Sequence, residues 1–195
     1  MRWIRKVNKG FAAMILVLLV LISYRIILSQ DRKQETGTIE RLADDYLATA
    51  MDAEFLSAEV MTEYLAGNQN TTDFIESDSY KAYYDRVKSS LSGFYPSDGK
   101  YLNYAMNRLE KKWLEQMQSR VIPDFEYNID EMLDIRYIDD QAALDIYINY
   151  TLETDSGSTN SMYYEETMQF IKVNAEWKLL ATNFYTNFYQ NYRWD

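Results

Sequence analysis

The chain has no cysteine and no histidine among its 195 residues, and only two prolines and six glycines. Without cysteine there are no disulfides and no thiolate metal sites, so stability has to come from packing. Without histidine, Ser-His-Asp and Cys-His catalysis are excluded, as are His-ligated zinc and iron sites. An enzyme built from this alphabet would work with Asp, Glu, Tyr, Lys and Arg alone. A domain without cysteine outside the cytoplasm is more usual for a bacterial protein than for a eukaryotic secreted one.

Acidic residues are missing from the first 30 positions, which are built around one apolar run. Residues 11–24 (FAAMILVLLVLISY) carry no charge, and Arg25 is followed by Ile26, Ile27 and Leu28. Eighteen residues, 11–28, at about 1.5 Å rise give roughly 27 Å, close to the hydrocarbon thickness of a bilayer. Phe11, Leu16 and Leu19 lie within the expected span, with Tyr24 and Arg25 near its outer end. Arg25 can snorkel to the headgroups, and Trp3 and Tyr24 suit interfacial anchors on the two sides. Arg2, Arg5, Lys6 and Lys9 precede the run, so the positive-inside rule puts the N-terminus in the cytoplasm. A cleaved signal peptide is the rival reading, but its apolar stretch is shorter and ends in a small-x-small site. Residues 24–30 (YRIILSQ) offer no such site. The expected organisation is a cytoplasmic stub (1–10), a transmembrane helix (11–28), a juxtamembrane link (29–37) and one domain outside the cytoplasm (38–195).

Five of the 20 basic residues and none of the 30 acidic ones precede residue 31, which leaves 15 positive and 30 negative charges beyond it, a net of −15. That polarity argues against nucleic acid as a partner, because counterion displacement needs Lys/Arg patches. The expected partners are membrane lipid through residues 11–28, other envelope proteins, and a second copy of the chain.

Hydrophobic periodicity predicts helices over 38–66, 72–94 and 100–121, with Thr38 and Asp73 as caps and Gly67 as a left-handed stop. Pro96-Ser97-Asp98-Gly99 reads as a turn, and Pro123 ends the third helix. Beyond it the period switches to alternation. Ala142, Leu144, Ile146, Ile148, Tyr150 and Leu152 share one strand face. Strands are predicted over 132–138, 142–152, 162–173 and 177–184, the first two joined through Asp139-Asp140-Gln141. With Asp134, those two aspartates read as a turn rather than a calcium loop. The fold class is α+β, with three helices packed on a four-stranded antiparallel sheet.

The closing hairpin, residues 170–180 (FIKVNAEWKLL), together with this element order, resembles the nuclear transport factor two-like superfamily over roughly residues 38–185. The resemblance implies a cone-shaped fold, a pocket within it in some members, and proton transfer by an acid and a tyrosine in a few. A stub, one span and such a domain also resemble the bitopic scaffold subunit of type IV secretion and conjugation machines, though no Asn-Pro-x-Gly turn is present. The implied function is a membrane-anchored scaffold or protein-binding module. Together with the expected membrane anchor and the lack of cysteine and histidine, this resemblance sets the expectation of a non-enzyme with no cofactor and no bound metal. The alternative is a small-ligand-binding or proton-transfer domain, for which Glu166 is the pocket candidate, since it shares a strand face with Met162, Tyr164, Met168 and Phe170.

Residues 184–194 hold six aromatics in eleven positions. Phe184, Tyr185, Phe188, Tyr189, Tyr192 and Trp194 are expected either to pack over the mouth of the domain or to dock on a partner.

Overall fold

In the computed structural model of the chain, the backbone is described over residues 9–67, 70–153 and 159–182, and side chains over the same residues except 9–13, 24–28 and 159–160. Two compact units are present, Met1–Ile39 and Glu40–Asp195.

One helix, α1 (Lys9–Asp52), runs through 44 residues. In the first unit residues 14–23 are all exposed, with Leu16 at 65% and Leu19 at 56%. The other positions of the expected span, 11–13 and 24–28, have side chains outside the described residues, Phe11, Tyr24 and Arg25 among them. Among the described residues no helix is long and apolar enough to cross a membrane. The expected link over 29–37 is itself helical. Thr38 caps nothing, because its hydroxyl donates to the Gln34 carbonyl one turn back (2.9 Å).

In the second unit the predicted helix over 38–66 is two helices, α1 and α2 (Ala58–Ala66). The break at 53–57 is held from another helix, α5 (Lys100–Ser119). Gln116 receives the Leu56 N–H on its amide oxygen (2.7 Å), and Trp113 donates its indole N–H to the Ala53 carbonyl (2.9 Å). Gly67 caps α2 in the right-handed region at φ −72°, not the left-handed one. The second predicted helix is also divided, into α3 (Thr71–Ile75) and α4 (Asp78–Ser92), because Ser77 begins a new helix by accepting the Tyr80 N–H. Asn70, rather than Asp73, caps α3. The turn before α5 is as expected, with Gly99 at φ 71°.

Five strands follow, one more than expected: β1 (Asp124–Met132), β2 (Arg136–Ile138), β3 (Gln141–Glu153), β4 (Thr159–Val173) and β5 (Glu176–Thr182). The predicted first strand over 132–138 therefore holds only the end of β1 and all of β2. Both pair with β3 in one antiparallel sheet of order β1-β3-β4-β5. The β3–β4 register runs unbroken from Gln141↔Ile171 to Glu153↔Thr159, which fixes every side chain to one face. Leu144, Ile146, Ile148 and Leu152 are essentially fully buried on the core face, each worth about 1.5–3 kcal/mol of transfer free energy. The α1–α2 break meets that face through the Phe55–Phe125 ring contact (5.3 Å), and the segment after α4 meets the β5 edge through the Leu179 N–H donated to the Phe94 carbonyl (2.8 Å). The result is an α+β domain with an antiparallel sheet and several helices.

Candidate functional site

Glu166 is placed by strand alternation. On β4 it follows Met162 and Tyr164 and precedes Met168 and Phe170 on the core face, and it lies opposite Ile146 of β3. Burial deepens along this row. Met162 and Tyr164 are half-buried, whereas Glu166, Met168 and Phe170 are fully buried. Neither carboxyl oxygen of Glu166 has a hydrogen-bond partner. Desolvation pushes the acid up to about 8, so it carries its proton at neutral pH.

Tyr150 sits on the same face of β3 and is also buried. Its phenol is raised above its ordinary range first by burial, then by the Glu166 carboxylate and by Tyr164. The Tyr150 ring stacks on Phe125 (6.0 Å) and tilts against Tyr164 (5.5 Å), whose hydroxyl donates to the Met162 sulfur (3.0 Å). A neutral carboxyl and two phenols thus line one apolar face. Such groups can donate hydrogen bonds in a low-dielectric setting, or pass a proton. Strand alternation in the sequence marks Glu166, and Tyr164 with it, whereas Tyr150 reads there as a core residue.

A second buried charge escaped sequence reading. Lys112 of α5 and Glu54 form an ion pair with side-chain exposures of 3% and 0%. Burial pushes the Lys112 ammonium well below the ordinary lysine range, with Glu115 pulling weakly the other way. The signal was present in the spacing, since Ala105, Leu109, Lys112 and Gln116 fall on one helical stripe. This pair lies at the α1–α2 break and Gln116 bonds across it, so the cluster joins helices.

Asp134, Asp139 and Asp140 do not assemble a cation site, and among the described residues no group of three or more ligating side chains does. Asp139 instead takes φ 52° in the β2–β3 turn, as the hairpin reading required. Two concavities lie elsewhere. One of about 420 Å³ is lined by Ala53, Ser57, Tyr83 and Arg86, among others, and one of about 240 Å³ by Arg136, Ile138 and Phe170, among others. Neither includes Glu166. The aromatic positions Phe184, Tyr185, Phe188, Tyr189, Tyr192 and Trp194 lie outside the described residues.

No protein-family model matches the chain, and no curated protein does. Among solved structures, the association domain of C. elegans CaMKII is similar at 12% identity over 30% of this chain and 45% of its own, with a TM-score of 0.26. This chain thus spans less than half the length of that domain. A putative calcium/calmodulin-dependent protein kinase II association domain from Xanthomonas campestris is 14% identical over 53% of this chain and 82% of its own, with a TM-score of 0.32. The intermembrane space region of the chloroplast protein ARC6 is 16% identical over 55% and 95%, with a TM-score of 0.27.

Proposed function

We propose that the chain is a single-pass membrane protein whose domain outside the cytoplasm is a protein-binding scaffold module of a bacterial envelope assembly. The observation that carries this reading is the exposure of every side chain from Met14 to Ile22, between 43% and 65%, nine large apolar residues in succession on one helix. A helix that is apolar all round is stable only when an apolar medium surrounds it. Four basic residues precede the run and no acidic ones do, which orients the N-terminus toward the cytoplasm. The domain from residue 38 onward has its own core and is assigned no catalytic role. A conjugation or type IV secretion channel is the setting that the sequence resemblance implies. A reporter active only outside the cytoplasm, fused after Asp195, should be active in cells. An inactive outside reporter with an active cytoplasmic one would refute the orientation.

A second reading has one observation in its favour. Glu166 is a buried acid without a partner on an apolar face, the environment of a carboxyl that binds a small ligand or transfers a proton. Labelling the glutamate carboxyls with ¹³C and titrating small amines and small carbonyl compounds tests it. If no compound moves the Glu166 signal, this reading fails.

A further inference from the structure

Charge is divided unevenly within the domain. Residues 78–120, which hold α4 and α5, carry eight basic and five acidic residues, a net of +3. Residues 121–182, which hold the sheet, carry three basic and thirteen acidic, a net of −10. The helical layer of an acidic domain is thus its basic part.

Each charge sits with an exposed tyrosine. On α5, Lys100, Tyr104, Arg108 and Lys111 recur at spacings of four, four and three, which puts them along one side. Tyr104 is 62% exposed, and the Arg108 guanidinium lies 5.7 Å from its ring centre. On the sheet face turned away from the core, Tyr163 is 56% exposed and stacks on Tyr147 (5.3 Å, 12° between planes). Glu165 and Glu131 both lie opposite Tyr147, one on each neighbouring strand. Asp130, at the irregularity in the β1 register, accepts from the Asn149 amide (2.7 Å) beside them. Desolvation, then Asp130, Tyr147, Glu131 and Glu165, raise the Tyr163 phenol. The one cation described on this patch, Arg136, is engaged by Asp145.

We infer that the Lys100–Tyr104–Arg108–Lys111 side of α5 docks on the Tyr163 face of the sheet of a second copy of the chain. The inference rests on the protein-binding reading above and names the partner. The two patches match in sign, and each places an aromatic ring among charges, the composition of interface centres. They also match in length. The twelve residues from Lys100 to Lys111 span about 16 Å of helix, and β1 from Glu126, which lies on the same outer face opposite Thr151, to Glu131 spans about the same. The contact is heterologous, because each copy offers two different faces, so it propagates into rings or rows rather than stopping at a two-fold dimer. Copies anchored in one membrane plane meet at raised effective concentration, which suits a contact of this modest size.

The absence of cysteine makes the test clean. Full-length chains carrying Asn107→Cys or Ser161→Cys are reconstituted together in lipid vesicles and oxidised. The mixture should give a disulfide dimer, and either variant alone should give no more than a copy bearing the exposed control Ser89→Cys. Adding Glu131→Lys and Glu165→Lys to the Ser161→Cys copy should cut the yield about tenfold, with unchanged circular dichroism. Adding Arg108→Glu and Lys111→Glu to the other copy should then restore it. A mixed yield at the control level, an equal yield from either variant alone, or no restoration by the second reversal would each overturn the contact. The membrane reading depends on topology and would stand in all three cases.

Discussion

Glu166 and the Glu54–Lys112 pair are taken out of water in opposite ways, and the difference decides what substitution does. Glu166 is held neutral: its value in the folded chain, about 8, exceeds the ordinary 4.5. The native state therefore binds more protons than the unfolded one across that interval, and stability is full below it and falls as pH rises through it. The melting temperature of the wild-type chain is expected to decline between about pH 5 and 8. Glu166→Gln, which keeps the shape and cannot ionise, should flatten that slope and melt higher than wild type at the alkaline end. An unchanged slope would mean that Glu166 is solvated. The Glu54–Lys112 pair, by contrast, is compensated internally. Glu54→Gln or Lys112→Met alone leaves a buried charge without its partner and should cost about 3–5 kcal/mol. The double substitution should cost much less than the sum, which a denaturant-unfolding double-mutant cycle would read directly.

Where elements begin and end depends on contacts of two ranges. The turn between β4 and β5 is local: Asn174 and Ala175 take φ of 52° and 69°, the pattern of a tight hairpin in which asparagine is favoured first and glycine second. Ala175→Gly should therefore stabilise the domain by about 0.5–1 kcal/mol, seen as a raised urea midpoint at unchanged slope. That hairpin was legible in the sequence, as were the core face of β3 and the α5 stripe, because period and turn chemistry are short-range signals. The break between α1 and α2 was not legible. Its partners, Gln116 and Trp113, lie sixty residues away in sequence, and apolar periodicity continues across the break. Ser57 and Ser77, which cap α2 and α4, each stand inside a longer apolar pattern that reads as one helix. β1 was missed for a different reason. Phe125, Tyr127 and Ile129 alternate properly, but acids flank them at Asp124, Glu126 and Asp130, which weakens the apolar signal. Gln116→Ala should open the break, since the Leu56 N–H loses its acceptor, and hydrogen exchange at Leu56 should speed while α5 keeps its protection.

At the scale of the whole molecule, the two units pose different physical problems. The second closes its own core and pairs its strands, and its outer edge strand β1 carries Asp124, Glu126, Asp130 and Glu131, charges that discourage further strand addition. The first presents nine aliphatic side chains in a row with nothing described covering them. That contrast is the reason for proposing a membrane anchor, and it is what the most direct measurement should address. Because the chain lacks cysteine, single thiols can be placed at will. In spheroplasts treated with a membrane-impermeant maleimide, the exposed Ser89→Cys should label fully, while Leu19→Cys should label only after detergent has dissolved the bilayer. Equal labelling of Leu19→Cys before and after detergent would contradict the membrane reading.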